Sequence, residues 1–103
     1  MARAEIDSGI CGFKAVVETK TEGDVVKIHI QSDCKDIQKL AAELTEVDPF
    51  HEISFRRGTP VILELGAKYC KHAACPVPVG IVKAVEVEAG LALPKDASIK
   101  LSK

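Results

Sequence analysis

The chain has 103 residues, 47% of them hydrophobic but only 4% aromatic, and its 14 basic and 15 acidic residues leave a formal charge of −1. That length suits a single domain over residues 1–103 with an aliphatic core, and dispersed charge without a basic run or aromatic platform argues against nucleic-acid binding. No apolar stretch is long enough for a bilayer and the N-terminus carries no signal segment, so a cytoplasmic protein without a membrane partner is expected.

The first stretch, "ARAEID", alternates, with Ala2, Ala4 and Ile6 on one face and Arg3, Glu5 and Asp7 on the other, which predicts a half-buried strand. "SGICG" breaks it and places Cys11 in a loop. "FKAVVETK" and "VVKIHIQ" predict a second and third strand around a turn at "TEGD", where Gly23 can take positive φ. Val26, Ile28 and Ile30 point inward in the third, and Lys27, His29 and Gln31 outward. The three strands read as an antiparallel meander with one wet face.

The period then changes. In "SDCKDIQKLAAELTEV", Ile37, Leu40, Ala41, Leu44 and Val47 fall at helical spacing, and Ser32 or Asp33 can cap the helix, leaving Cys34 in its first turn. "DPFHEISFRRG" reads as a polar connection with a short extended piece at residues 51–55. "TPVILELGAKYCK" predicts a second helix with Thr59 as cap and Pro60 at its first position, a strand at residues 61–65 being the alternative. "CPVPVGIVKAVEVEAG" predicts a third helix stopping at Gly90, and "DASIKLS" a closing strand with Ala97, Ile99 and Leu101 inward. The expected fold is an α+β two-layer sandwich of order βββαααβ, an antiparallel sheet covered on one face by helices.

That order has a consequence for the four cysteines. Strands and helices that alternate in direction return Cys11, Cys34, Cys70 and Cys75 to one end of the sheet, with His72 beside the last two. Cys34 and Cys75 fall at helix starts, where free N–H groups and the helix dipole favour an anion. Cys70 falls near a helix end, where the dipole opposes a thiolate.

In a reducing compartment such a set points to metal or thiol chemistry rather than to a disulfide frame. The first reading is a metal site with Cys11, Cys34, Cys70 and Cys75 as ligands and His72 in reserve. Zinc sites favour closely paired cysteines, whereas ligands from separate loops suit the wider iron–sulfur cluster, so both cofactors stay open. The second reading is a thiol reagent, with Cys75 presented by Pro76 and Pro78 as nucleophile or sulfur carrier and His72 as base. A third is a protein-interaction module whose cysteines are merely small buried hydrophobes. His29 reads as solvated. His51 beside Asp48 and Glu52 reads as a solvent-facing loop rather than as a metal pair, and Arg56 with Arg57 as a solvated turn rather than as an anion site. Nothing beyond the thiols supports catalysis.

Two resemblances add to this. "ACPVPVGIVKAV" followed by "ALPKDASIKL" resembles the Cys-Pro-x-Pro helix and following strand of the small bacterial sulfur-transfer proteins, which implies a persulfide carried on Cys75. "SGICGF", "SDC" and "HAACPVPVGIVKA" are similar to an uncharacterised family of small four-cysteine proteins from anaerobic prokaryotes. That likeness implies an anaerobic cytoplasm, where an exposed cluster would survive. The expected function is therefore a small metal- or iron–sulfur-binding accessory protein serving an unidentified protein partner. Sulfur transfer or thiol redox through Cys75 is the rival.

Overall fold

Strand alternation builds the sheet as expected. In a computed structural model describing residues 1–103, β1 (Ala2–Asp7), β2 (Lys14–Glu22) and β3 (Val25–Ser32) form an antiparallel meander. The register sets Ala4 opposite Val17 and Val17 opposite Ile30, so the inward residues of neighbouring strands share one face. Ala2, Ala15, Val17, Val26, Ile28 and Ile30 are buried on that face, while Arg3, Glu5 and His29 lie exposed on the other.

Helix α1 (Lys35–Glu43) follows β3 and buries Ile37 and Leu40 against the sheet. The helical stripe expected to run on to Val47 stops earlier. Leu44 ends the helix, and Val47 reaches the core from a two-residue strand, β4 (Glu46–Val47), paired with Val26 and Lys27. Both positions are buried, so the apolar spacing was right and the backbone carrying it was not.

The extended piece expected at residues 51–55 is instead a single helical turn, α2 (Pro49–Glu52). Asp48 accepts from the Phe50 N–H at 3.0 Å, and Pro49 supplies the helical φ, which together start a helix. The helix expected for the next segment forms as α3 (Val61–Tyr69), not the alternative strand, and α4 (Val77–Glu88) follows. Pro60 and Pro76 each stand one position before the helix rather than inside it.

The final strand does not form. Gly90 takes φ 74°, the Leu91 N–H closes on the Glu86 carbonyl at 2.9 Å, and every residue from Gly90 to Lys103 is exposed. The order is thus βββαβααα, with β4 as fourth strand in place of the expected last one. The class stands: an open antiparallel sheet under helices, an α+β two-layer arrangement. A cluster of 15 buried residues joins β2, β3, β4, α1, α3 and α4.

Two close approaches fix the helices. A Cβ on Gly66 of α3 would lie 2.7 Å from Pro78 Cγ, so only glycine lets α3 sit this near α4. A Cβ on Gly80 of α4 would collide with the Ile6 side chain of β1. At the far end of α4, Glu88 ties the helix to the sheet: it accepts from the Ala2 N–H at 2.7 Å and from the Thr21 N–H and hydroxyl at 3.1 and 2.9 Å.

Candidate functional site

Three helix ends meet where the cysteines lie. Cys34 is the residue that opens α1, with extended backbone (φ −72°, ψ 123°) and its N–H donated to Ser32 Oγ at 3.2 Å. Its own side chain makes no capping hydrogen bond, so the sulfur is not engaged by the helix it opens. Cys70 closes α3, its N–H donated to the Gly66 carbonyl at 2.8 Å. Cys75 precedes Pro76 at the start of α4, its N–H turned back to the His72 carbonyl at 3.2 Å.

The Gly66–Pro78 contact brings the end of α3 to the start of α4, and with them Cys70 to Cys75. All three of these thiols are half-buried and lie against the apolar core. Burial, the adjacent Cys75, then Cys34 and Asp36 push the Cys70 thiol up to about 12. At neutral pH Cys70 is therefore a thiol, kept so by desolvation and by the negative charge its neighbours can carry.

Cys11 differs. Its loop, closed by a Ser8 N–H to Phe13 carbonyl bond at 3.0 Å, lies at the same end of the sheet, because Asp7 pairs with Lys14 and Ala15 with Ser32. The residue itself is exposed, and it is not among the groups that act on Cys70. His72 is exposed as well. All four cysteines are free thiols, and no three His, Cys, Asp or Glu side chains are arranged as a ready-made metal cage. The end holds a three-thiol convergence with a fourth thiol on a nearby loop.

The acidic residues around His51 have other work. Glu52, expected from sequence to face solvent on a loop, is 1% exposed, and its carboxylate accepts the Val61 and Ile62 N–H groups at 3.0 and 2.7 Å. It caps α3 from a separate helix, filling the place expected for Thr59. A carboxylate nine residues before the helix it caps leaves no local signature, so spacing could not reveal it. His51 Nε2 lies 3.3 Å from the Thr59 carbonyl and 4.0 Å from Glu52. Arg56 and Arg57 are exposed on a loop, as expected.

Fold and site together define a small α+β protein with a thiol cluster at the end of its sheet where β3 leads into α1. No helix is long and apolar enough to cross a membrane. The chain belongs to a family of unknown function (DUF6951), whose model matches residues 2–101. No curated protein and no solved structure matches it significantly. An uncharacterised family agrees with one of the two resemblances. The strand implied by the likeness to sulfur-transfer proteins is absent after α4.

Proposed function

We propose that the chain is an accessory protein that binds a soft metal ion or iron–sulfur cluster through Cys34, Cys70 and Cys75, with Cys11 as fourth ligand and His72 in reserve. The observation that carries this reading is the convergence of three half-buried thiols from the ends of three helices far apart in sequence. The same feature that holds Cys70 protonated favours a cation, since a metal replaces the proton and neutralises the clustered sulfur charge. Small side-chain rotations and an inward movement of the Cys11 loop would complete the set. A reducing, oxygen-poor cytoplasm is the setting in which such a site would keep its charge.

The test is anaerobic purification followed by a visible spectrum and elemental analysis for iron, zinc and sulfide. Metal at one equivalent or one cluster per chain, lost in Cys34→Ser and in Cys75→Ser, is the expected result. Full metal content in either variant would overturn the ligand assignment.

The nearness of Cys70 to Cys75 favours one second reading, thiol exchange with a disulfide-bearing partner. The Cys75 thiolate attacks a partner sulfur and expels one partner thiolate. Cys70, losing its proton, then attacks Cys75 and releases the other, leaving a Cys70–Cys75 disulfide and a reduced partner. Mass mapping of that bond after incubation with oxidised glutathione checks it. A metal-free chain that forms no such bond would sink this reading. Sulfur transfer through Cys75 would use the same thiol.

A further inference from the structure

Beyond Leu91 the chain makes no main-chain hydrogen bond to itself, and Leu93, Ile99 and Leu101 are 89%, 81% and 91% exposed. Yet residues 97–101 alternate apolar and polar, as a strand with one buried face does. The sheet meanwhile has a bare edge. Its strand order is β1-β2-β3-β4, so the outer side of β1 has no neighbour over six residues. The inward residues beside that edge, Ala4 and Ile6, are only half-buried. An unpaired alternating segment and an unpaired edge on one molecule are a matched donor and acceptor.

The tail cannot fill its own edge with this segment. Glu88 holds the end of α4 against Ala2, so the tail leaves beside the first residue of β1. At roughly 3.3 Å per residue, a tail running along β1 from there is level with Asp7 after about six residues. Those six are 91–96, which include Pro94, and the alternating residues 97–101 overshoot the strand.

We infer that residues 97–101 add as a strand to the β1 edge of a second copy of this chain, each copy giving one tail and one edge to a closed two-fold dimer. An antiparallel register with Ile99 beside Ile6 and Leu101 beside Ala4 extends the apolar face. It also sets Lys100 opposite Glu5, Ser98 opposite Asp7 and Ser102 opposite Arg3. Shifting the tail by two residues, so that Lys100 faces Arg3 and Asp96 faces Asp7, opposes like charges and is disfavoured. Tail on edge joins two different surfaces, and it closes at two copies because the exchange is reciprocal, each copy giving its tail and receiving the other's about one two-fold axis.

The test uses the full chain. Light scattering coupled to size exclusion should give twice the chain mass, and Ile99→Lys with Leu101→Lys should give a monomer with an unchanged circular dichroism spectrum. Hydrogen exchange should show the outward-facing Arg3, Glu5 and Asp7 amides protected in the dimer and at least tenfold faster in that double variant. Glu5→Lys and Lys100→Glu should each weaken the dimer, and their combination should restore it. A monomeric wild-type chain at 100 µM or so, far above the Kd range of a specific dimer, would overturn the inference. So would a dimer indifferent to the Ile99 and Leu101 changes, or one whose Arg3, Glu5 and Asp7 amides exchange freely.

Discussion

Ile6 occupies the space that a side chain on Gly80 would need, and this contact sets how closely α4 lies on β1. In an exposed helix, replacing glycine by alanine stabilises by up to about 1 kcal/mol. Here the sign reverses. Gly80→Ala should destabilise by about 1–3 kcal/mol, as overpacking of a filled interface does. Urea unfolding measures it, and a stability gain would mean that α4 can slide outward freely.

Glu52 should prove the most sensitive carboxylate for stability. It is buried and holds two N–H groups at the start of α3. Glu52→Ala leaves both donors without a partner in a dry setting and should cost about 2–4 kcal/mol. Thr59→Ala, at the place where sequence alone puts the cap, should cost less than about 0.5 kcal/mol by the same urea assay. Equal losses would return the cap to Thr59.

Glu88 predicts an acid limb of stability. Burial raises its carboxyl, but hydrogen bonds from the Thr21 hydroxyl and the Ala2 and Thr21 N–H groups, with the N-terminal ammonium, hold it below the usual value of 4.5. A group lowered on folding contributes stability that is complete above its unfolded value and disappears as pH falls through its folded one. Wild-type stability should therefore decline below about pH 4.5, and Glu88→Gln should flatten that decline while lowering stability near pH 7 by about 2 kcal/mol. Urea midpoints measured across this range would contradict the assignment if the two proteins ran parallel.

Cys70 should be the slow thiol. Burial and the neighbouring Cys75 hold it protonated up to about 12, and only the thiolate alkylates. Peptide mapping after brief iodoacetamide treatment near pH 8 should find Cys70 the least modified of the four cysteines. Cys75→Ser removes one cause and should speed its labelling, although burial remains. Fast labelling of Cys70 in the wild-type chain would show that the thiol is not enclosed as described.

The sheet was readable from sequence because each strand keeps a strict period of two, and one buried face leaves only one register. The thiol-bearing ends of α1, α3 and α4 followed from strand and helix direction alone. What escaped were features decided by contacts distant in sequence. Val47 satisfies a helical spacing after α1, yet it pairs with Val26, because the helix closes at Leu44 and the chain turns back. Glu52 looks like any acidic loop residue until α3 is docked over it. The alternation of Ala97, Ile99 and Leu101 predicts a strand that does not form, because alternation marks an amphipathic pattern and does not supply a neighbouring strand to pair with.

Cys34, Cys70 and Cys75 stand at the tips of helices whose middles already fill the core, and none belongs to the fully buried set. A zinc finger folds around its ion because it has little else to fold around. This chain reverses the sequence of events: its interior is complete without sulfur, so a cargo would arrive at a finished shape and leave it standing on departure. If the chain carries metal as proposed, it would suit delivery better than permanent storage, because emptying it would not require unfolding it.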